Sequence, residues 1–413
     1  MSDSLLLHHP TGRVRADLTP PASKSISNRV LIIDALAGGT SDLQNLSSAR
    51  DTQTMRRLLT EGGKHLDVGD AGTTMRFLTA YHAVTGSQCV LTGTPRMQER
   101  PIGPLVEALQ AIGAHIAYEK TPGCPPLHLR GFDYRGKHQT ELPGNVSSQF
   151  ISALLMVAPT LPDGLEINLL GPITSRPYIE MTRALMAAFG VESRWSDGGR
   201  TLLVGPQAYA PRPYTVESDW SGASYWYSVV ALAPDAEATI LLRGLDDESL
   251  QGDRRIAGIM RALGVTTEFT AEGAKLSRHD VADEPLVLNF VDCPDLAQTV
   301  FAAAAARGVR VRANGLESLR VKETDRLDAL QRELAHWGHR LAEDTGGYWT
   351  LEPAPAASHE VVTVRTYEDH RMAMAFAPLA LLHPVRIETP EVVRKSYPTF
   401  WDDLLKTGFE ISR

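Results

Sequence analysis

The residues best suited to chemistry stand in short polar segments just before apolar stretches. The first such segment, 21–29, reads Pro-Ala-Ser-Lys-Ser-Ile-Ser-Asn-Arg. Ser23 or Ser25 is a suitable N-cap for the helix that the following apolar spacing predicts. A helix start carries unpaired N–H groups and partial positive charge, so Lys24 and Arg29 beside it indicate an anion site. Taken alone, the segment also fits a capped surface helix with solvated charges.

A second segment, 320–326, combines an acid and several cations ahead of an amphipathic pattern. It reads Arg-Val-Lys-Glu-Thr-Asp-Arg, and Thr324 is the expected cap of the helix that follows. Glu323 lies between Lys322 and Arg326, where a carboxyl group can exchange a proton beside an anionic ligand. Nearby cations favour the ionised carboxylate, whereas burial and a bound phosphate favour the acid, and the sequence leaves this balance open. A solvated helix start with local ion pairs is the alternative.

Further segments place hydroxyl groups, a carboxylate or cations at other predicted helix starts. Residues 147–149, Ser-Ser-Gln, offer two hydroxyls and an amide for capping or for phosphate binding. Arg100 has forked donors that suit a carboxylate or a phosphate. Asp295 leads an apolar helix, either as its N-cap or as a general base. Segments 369–371 and 394–396 add cations late in the chain.

These segments recur because two helix patterns alternate along the chain. The first pattern is almost wholly apolar after a polar start, and its six starts lie 48, 74, 74, 74 and 75 residues apart: 25–37, 73–84, 147–159, 221–232, 295–306 and 370–382. The second pattern is amphipathic and ends near a glycine: 55–62, 105–113, 181–190, 256–264, 327–338 and 401–408. Such a regular period indicates a repeated supersecondary unit with short β-rich runs between its helices.

The two helix classes predict where each helix lies. A helix that is apolar all round belongs inside, and a helix with one apolar stripe belongs outside against a sheet. Six units are too many for one core, so we divide them three and three near 211–214, where prolines break the pattern. Six buried helices with their N-termini aimed at one place would attract anions there, and two facing domains would form a closable cleft.

Composition excludes several other classes of protein. The chain has 413 residues, 43% of them hydrophobic, and a formal net charge of −8, which argues against a general binder of nucleic acid or of membrane surfaces. Leu5-Leu6-Leu7 is too short for a signal-peptide core, and no stretch is long enough to span a bilayer. Three widely spaced cysteines suit a reducing cytosol. Without a Walker A loop, GxGxxG or HExxH, no metal, nucleotide or redox cofactor is expected.

Taken together, eight segments resemble the 5-enolpyruvylshikimate-3-phosphate (EPSP) synthase family, the 3-phosphoshikimate 1-carboxyvinyltransferases. They follow the family's order over nearly the whole chain: PASKSISNR (21–29), DAGTTMRFL (70–78), TGTPRMQERPIG (92–103), SSQFISALLM (147–156), SRPYIEMT (175–182), PDLAQT (294–299), RVKETDRL (320–327) and EDHRMAMAF (368–376). Several of these motifs are long and specific. The positions that depart from the family's commonest pattern are Ala22, Asp70, Thr74, Phe77 and Ser318.

The resemblance implies an α/β fold, the two-domain inverted α/β barrel of the enolpyruvyl transferases. Each domain would hold three βαβαββ units around buried parallel helices. Residues 1–20 and 218–413 would form the C-terminal domain and 21–217 the N-terminal domain, with the active site in the cleft between them. The chain would therefore cross the hinge twice.

The resemblance also implies a reaction and its participants. The enolpyruvyl group of phosphoenolpyruvate would pass to the 5-hydroxyl of shikimate 3-phosphate, with a tetrahedral intermediate and release of phosphate. Both substrates are polyanions, which matches the converging cations and helix starts. The protein would act without a cofactor, as a monomer in the cytoplasm, with no nucleic-acid or membrane partner.

Residue roles follow from the resemblance position by position. Asp295 matches the base that faces the 5-hydroxyl, and Glu323, helped by Lys24, matches the group that protonates C3 of phosphoenolpyruvate. The shikimate 3-phosphate contacts would be Lys24, Ser25, Arg29, Ser147, Ser148, Gln149, Ser175, Asp295 and Lys322. The phosphoenolpyruvate contacts would be Lys24, Gly72, Arg100, Gln149, Arg326, Arg371 and Lys395.

Two other functions are compatible with the same fold. The sister family that transfers enolpyruvyl to UDP-N-acetylglucosamine usually has a reactive cysteine near positions 96–100, and this chain has none there. An inactive phosphometabolite-binding protein is the second alternative. The presence of both Asp295 and Glu323 argues against it.

Overall fold

The chain forms two compact units, each with its own hydrophobic core. The computed structural model describes residues 4–281, 284–354 and 361–413. One unit comprises Met1–Pro21 and Glu217–Arg413, here called the C-terminal unit, and the other comprises Ala22–Val216, the N-terminal unit. The buried apolar side chains of each unit form a separate cluster.

Strands and short helices alternate throughout both units. The α-helices are α1 Lys24–Leu36, α2 Arg50–Glu61, α3 Gly72–Val84, α4 Gly103–Ala111, α5 Ser148–Val157, α6 Arg176–Ala188, α7 Trp220–Leu232, α8 Ile256–Arg261, α9 Ala297–Ala306, α10 Arg326–His336, α11 His370–Phe376 and α12 Phe400–Lys406. The strands are β1 Ser4–His8, β2 Arg15–Leu18, β3 Leu43–Gln44, β4 His65–Asp67, β5 Gln88–Thr92, β6 Ala114–Tyr118, β7 Leu127–Phe132, β8 Gln139–Pro143, β9 Leu165–Leu170, β10 Arg194–Ser196, β11 Thr201–Val204, β12 Tyr214–Thr215, β13 Thr239–Arg243, β14 Val265–Thr270, β15 Gly273–Arg278, β16 Leu286–Asn289, β17 Val311–Asn314, β18 Arg340–Glu343, β19 Trp349–Glu352, β20 Val362–Val364, β21 Val385–Glu388 and β22 Glu410–Ser412.

In the part of the chain that the structure describes, five four-stranded sheets share one arrangement, a parallel pair followed by two antiparallel strands. The N-terminal unit has the orders β4-β5-β7-β6 and β8-β9-β11-β10, and the C-terminal unit has β2-β13-β15-β14, β16-β17-β19-β18 and β20-β21-β1-β22. Three of these sheets are built from a contiguous β-α-β-α-β-β segment, those that begin with β4, β8 and β16. The repeated unit that the sequence period predicts is therefore present.

The remaining sheets show how the repeats are joined. Strand β2 precedes α1 in the chain but pairs in parallel with β13, which follows α7. Strand β12 precedes α7 but pairs in parallel with β3, which follows α1. Strand β2 thus precedes the first repeat in the chain but joins the sheet of the fourth repeat. Strand β12 precedes the fourth repeat but joins the sheet of the first. The first repeat is also short, with helix starts 48 residues apart instead of 74, and within the described residues its sheet consists of the two strands β12 and β3.

The cores are built from the helices that the sequence marks as apolar all round. Helices α1, α3 and α5 contact one another in the N-terminal unit, as do α7, α9 and α11 in the C-terminal unit. Every residue of α9 from Ala297 to Ala305 is buried. Small side chains permit this close packing, and Ser224 and Thr299 satisfy each other's buried hydroxyls at 3.1 Å between α7 and α9.

Local capping matches the sequence in some helices and departs from it in others. Ser23 caps α1, because its Oγ accepts from the N–H of Ile26 at 3.4 Å. Thr324 is not the cap of α10, since Asp325 accepts from the N–H groups of residues 327 and 328 at 3.1 Å. Asp295 is not an N-cap either, because it lies in a 3₁₀ turn before α9 and its side chain makes no capping bond. Among the described residues, no helix combines the length and apolar character needed to cross a bilayer.

Candidate active site

Asp295 is surrounded by three cations in the C-terminal unit. Its Oδ1 accepts from Nη1 of Arg326 at 2.8 Å and from Nζ of Lys322 at 3.3 Å. Its Oδ2 accepts from Nη2 of Arg371 at 3.0 Å. Burial alone would raise the pKa of the Asp295 carboxyl, but Arg371, Lys322 and Arg326 outweigh that effect and hold the pKa below its usual range. Asp295 is therefore ionised at neutral pH.

Glu323 shares one of these cations and adds another. Its Oε2 accepts from Nη2 of Arg326 at 2.9 Å, and its Oε1 lies 3.3 Å from Nζ of Lys395. Lys395 is almost completely buried, and Glu323 has 13% of its side-chain surface exposed. The two candidate proton-transfer groups, Asp295 and Glu323, are thus joined through one guanidinium group.

Arg326 is held by three carboxylates and cannot turn freely. Besides Asp295 and Glu323, it donates from Nε to Oδ2 of Asp369 at 2.7 Å. Burial lowers the pKa of Arg326, but Asp369, Glu323 and Asp295 together raise it above its usual value. Burial also lowers the pKa of the Lys322 ammonium, an effect that Asp295 opposes. The charges of this cluster are fixed before any ligand binds, as electrostatic preorganisation requires.

Two kinds of chain position supply these side chains. Asp295, Asp369 and Arg371 lie at the starts of buried helices α9 and α11. Lys322 and Lys395 lie in the polar segments just before outer helices α10 and α12. Polar helix starts recur in each repeat of the unit, and the folded chain brings those of different repeats together. Side chains far apart in the sequence therefore meet in one cluster.

The structure adds a buried carboxylate that the sequence analysis does not single out. Asp253 precedes outer helix α8, is 2% exposed, and accepts a short hydrogen bond from Oγ of Ser221 at the start of α7. Burial, and next the negative charge of Asp295, raise the pKa of Asp253 to about 7. The signal that could have identified it is its repeat position, since the segment 251–255 precedes α8 as 320–325 precedes α10.

In the N-terminal unit, Lys24 and Arg29 lie on the first buried helix in different surroundings. Nζ of Lys24 lies 3.1 Å from Oδ2 of Asp51, a second buried acid that the sequence analysis does not single out. Arg29 donates to the hydroxyls of Thr182 at 2.7 Å and Ser152 at 3.0 Å. Burial lowers the pKa of Arg29 to about 10, so it stays charged at neutral pH. Its bonds to the protein leave few donors for a ligand.

Gly72 and Arg100 pack directly on each other. A Cβ built on Gly72 would lie 2.7 Å from Nη1 of Arg100, so only glycine leaves room for this guanidinium. Arg76 donates to the carbonyls of Gly72 at 3.2 Å and Pro101 at 2.7 Å, which holds the two segments together. Nε of Arg100 is buried and has no hydrogen-bond partner among the described residues. An anionic group is the natural partner for such a donor.

The polar residues at the starts of α5 and α6, with Ser25 of α1, are the remaining candidates in the N-terminal unit. Gln149 donates from Nε2 to Oγ1 of Thr73 at 3.1 Å, which joins the starts of α5 and α3. Ser147 caps α5 through the N–H of Gln149, and Ser148 is buried beside it. Ser175 stands before α6 in the left-handed region, with φ 54°, and is buried without a capping bond. Ser25 is half-buried, and its carbonyl accepts from Nη1 of Arg29.

The structure therefore groups the sequence-predicted residues by unit. Six lie together in the C-terminal unit: Asp295, Lys322, Glu323, Arg326, Arg371 and Lys395. In the N-terminal unit, Gly72 contacts Arg100 and Gln149 contacts the α3 start, while Lys24 pairs with Asp51. The departure at Asp70 carries its own counter-charge, since Nη2 of Arg50 lies 2.9 Å from its carboxylate. Within the described residues, no group of three or more His, Cys, Asp or Glu side chains could hold a metal ion.

Comparison with known proteins identifies the family. The family model for EPSP synthase (3-phosphoshikimate 1-carboxyvinyltransferase) matches residues 8–65 and 57–404. The chain is 48% identical over 407 residues to a 3-phosphoshikimate 1-carboxyvinyltransferase of Bacteroides fragilis, with 98% of each chain covered. It is 37% identical over 433 residues to that of Citrobacter koseri, with 98% of this chain and 99% of the relative covered.

A solved structure supports the same assignment at the level of the fold. The EPSP synthase of Acinetobacter baumannii superposes with a TM-score of 0.77 at 22% identity, covering 99% of this chain and 100% of that one. The predicted enolpyruvyl transferase fold is confirmed by this likeness. The chain belongs to the EPSP synthase (3-phosphoshikimate 1-carboxyvinyltransferase) family.

Proposed function

We propose that this protein transfers the enolpyruvyl group of phosphoenolpyruvate to the 5-hydroxyl of shikimate 3-phosphate, giving 5-enolpyruvylshikimate 3-phosphate and phosphate. The observation that carries the proposal is the Asp295 carboxylate held by Lys322, Arg326 and Arg371. A carboxylate inside a ring of cations can accept a hydroxyl proton while the same cations bind an anionic substrate.

Asp295 is proposed as the general base. In the free protein its three cationic partners keep it ionised but weakly basic. The phosphate and carboxylate of phosphoenolpyruvate compete for the same guanidinium and ammonium donors. When an anionic substrate shares these fixed donors, its negative charge raises the pKa of Asp295 toward the range in which it removes a proton from the 5-hydroxyl.

Glu323, helped by Lys24, is proposed to deliver the proton to C3 of phosphoenolpyruvate. The hydroxyl oxygen then bonds to C2, which gives a tetrahedral intermediate. The C2–O bond to phosphate then breaks as C3 loses a proton, which forms the C2=C3 double bond of the product enol ether. Glu323 suits this role because it shares Arg326 with Asp295, so the acid and the base are positioned by one group.

Phosphoenolpyruvate is proposed to bind Arg100, Arg326, Arg371 and Lys395, with Lys24, Gly72 and Gln149. Among the described residues, the buried Nε of Arg100 has no hydrogen-bond partner, which supports the binding of an anionic group at this position. Shikimate 3-phosphate is proposed to bind Lys24, Ser25, Arg29, Ser147, Ser148, Gln149, Ser175, Asp295 and Lys322. The hydroxyls and helix starts among these residues suit a phosphate group.

We further propose that both units act on the same pair of substrates, because neither unit contains all of these groups. The units would then be the two domains of the family, with hinges near residues 20 and 217, and would close on the ligands. Small-angle scattering should show a smaller radius of gyration with both ligands bound than without them. Indistinguishable curves would argue against closure.

A phosphate-release assay tests the proposed reaction directly. We expect release from phosphoenolpyruvate with shikimate 3-phosphate and none with UDP-N-acetylglucosamine. Release with the nucleotide sugar alone would support the sister activity. No release with either acceptor, from folded protein that still binds shikimate 3-phosphate, would indicate an inactive binding protein.

We also propose that the enzyme works as a monomer in the cytoplasm without a cofactor. Three cysteines, all unpaired, suit a reducing compartment. Light scattering of the purified protein should give the mass of one chain, and dialysis against a chelator should leave turnover unchanged.

A further inference from the structure

A buried acid on α10, Glu333, is hydrogen-bonded to the segment 365–369 that leads into α11. Glu333 has no exposed surface. Its Oε1 accepts from the hydroxyl of Tyr367 at 2.7 Å, and its Oε2 accepts from the N–H of Arg365 at 3.2 Å. The imidazole of His336, which is half-exposed, lies 3.5 Å from the same Oε2. A fully buried carboxylate whose two oxygens both accept hydrogen bonds from one five-residue segment is an uncommon arrangement.

The segment 365–369 has a backbone conformation that must be stabilised by neighbouring residues. Tyr367 and Glu368 both adopt the left-handed region, with φ 54° and 57°. Non-glycine residues rarely take this conformation, and two in succession persist only where the surroundings hold them. The N–H of Asp369 donates to the carbonyl of Thr366 at 2.9 Å, which closes the turn. The Tyr367–Glu333 hydrogen bond supplies the support from outside the turn.

The turn ends at the residue that aims two active-site cations. Asp369 accepts from Nε of Arg326 at 2.7 Å and from the N–H of Arg371 at 2.9 Å. Arg326 and Glu333 lie seven residues apart on α10, two helical turns, so they face the same side. Helix α10 thus contacts the segment 365–369 at two places, since Glu333 binds Arg365 and Tyr367 and Arg326 binds Asp369.

We propose that Glu333 and Tyr367 are positioning residues for phosphoenolpyruvate binding: their hydrogen bond fixes the turn that places Asp369, and Asp369 in turn places Arg326 and Arg371. The inference rests on the proposed function, in which these two arginines bind phosphoenolpyruvate. Neither Glu333 nor Tyr367 contacts the substrates in this arrangement.

Three variants separate positioning from bulk stability. Glu333→Met keeps the length of the side chain and loses both hydrogen bonds. Tyr367→Phe loses one. Glu333→Gln retains both, since its amide oxygen accepts from the N–H of Arg365 and its NH₂ donates to the Tyr367 oxygen. Matched controls are Asp328→Asn, an exposed charge loss on the same helix, and Tyr348→Phe, whose ring lies over Arg312 at the surface.

Steady-state kinetics give the expected pattern. Glu333→Met and Tyr367→Phe should raise KM for phosphoenolpyruvate about tenfold, roughly 1.4 kcal/mol, with a smaller change in KM for shikimate 3-phosphate. Glu333→Gln and both controls should stay within about threefold of the wild type by the same measure. Equal rises in both KM values, or none in Tyr367→Phe, would overturn the positioning role.

Hydrogen exchange of the ligand-free protein tests the inference without relying on turnover. In Tyr367→Phe, the amides of Asp369 and Arg371 should exchange faster than in the wild type, while amides of α9 should not change. Unchanged exchange at both amides would refute the positioning role of Glu333 and Tyr367 even if the enzyme is active. If the wild type shows no enolpyruvyl transfer but these amides still respond, the proposed function fails and the coupling through Glu333 stands.

Discussion

Nε of Arg326 lies 2.7 Å from Oδ2 of Asp369, and both side chains are almost completely removed from solvent. The pair joins the first residue of an outer helix to the cap of a buried one, 43 residues later in the chain. It is the fixed point from which Arg326 reaches Asp295 and Glu323, and Asp369 holds the backbone of Arg371. The geometry of both candidate proton-transfer groups therefore depends on this pair.

Replacing Asp369 with asparagine should destabilise the protein by about 3 kcal/mol. Removing one partner of a buried ion pair costs about 3–5 kcal/mol, and the low end applies because Arg326 keeps two other carboxylates. Asparagine is itself a good N-cap, so the capping of α11 should survive. Thermal unfolding measures the change, with the exposed pair variant Asp328→Asn as control. Equal midpoints for Asp369→Asn and the wild type would show that the pair contributes little.

Replacing Asp295 with asparagine should lower kcat by about 10²–10⁴, the usual contribution of general base catalysis. Shikimate 3-phosphate should still bind, because Lys322 and the serines are unchanged. Turnover and calorimetric binding together check this expectation. Asp292→Asn, three residues earlier and paired with Arg255 at the surface, is the matched control. Near-normal turnover in Asp295→Asn would remove its assigned role as base.

Asp253 should make stability depend on pH in a direction opposite to that of a paired acid. Its folded pKa is raised from 3.8 to about 7, so the folded state keeps a proton that the unfolded chain has already lost. The resulting stability is fully present below about pH 4 and is lost as pH rises through about 7, a change of a few kcal/mol.

Thermal unfolding of Asp253→Asn at several pH values tests this dependence. The asparagine has no proton to lose, so the variant should gain stability relative to the wild type as pH rises from about 4 to about 8. Asp247→Asn, exposed in the same loop, should follow the wild type. Parallel curves for Asp253→Asn and the wild type would mean that Asp253 does not hold this proton.

Gly72→Ala should weaken phosphoenolpyruvate binding selectively. The added Cβ would lie 2.7 Å from Nη1 of Arg100, so the guanidinium must move. We expect KM for phosphoenolpyruvate to rise about tenfold, the equivalent of about 1.4 kcal/mol, with little change for shikimate 3-phosphate. Gly103→Ala is the control, since Gly103 also opens a helix but its Cβ would meet only ordinary contacts, the nearest at 3.5 Å. A similar response to both substitutions would dissociate the effect from Arg100.

Lys24→Met should weaken both substrates and slow the chemical step. Lys24 stands at the start of α1 beside Asp51, where an ammonium group can serve two anions. Separate binding measurements for each substrate, together with kcat, check this expectation. Lys64→Met, an exposed lysine of the same unit, should leave all three unchanged. Loss of affinity for one substrate alone would show that Lys24 is assigned wrongly.

Much of the local structure could be predicted from the sequence because the signals are local. The apolar runs of α1, α3, α5, α7, α9 and α11 fit only buried helices, and they are buried. Capping is harder to predict where two suitable caps are neighbours. Thr324 and Asp325 are both of a residue type that caps helices, and the position at which the backbone turns into α10 selects Asp325.

The site could be predicted in part for the same reason. Cations and hydroxyls at helix starts are visible in the sequence, and the structure brings Lys322, Arg326 and Arg371 together around Asp295. The sequence does not single out Asp253 or Glu333, because a single acid before or within an amphipathic helix has the pattern of a solvated charge. Their importance depends on burial and on partners such as Ser221 and Tyr367, which the local pattern does not contain.

By itself, the sequence determined the repeat, the two helix classes and the set of charges available to bind polyanions. These follow from periodicity and side-chain chemistry within short windows. Only the tertiary structure decided which strands pair and which charges meet. Strand β2 pairs with β13, which lies more than two hundred residues later. Arg326 contacts Asp295, which precedes it in the sequence, and Asp369, which follows it. Several strands and acids satisfy the same local rules, and the choice among them is made by packing across the whole unit.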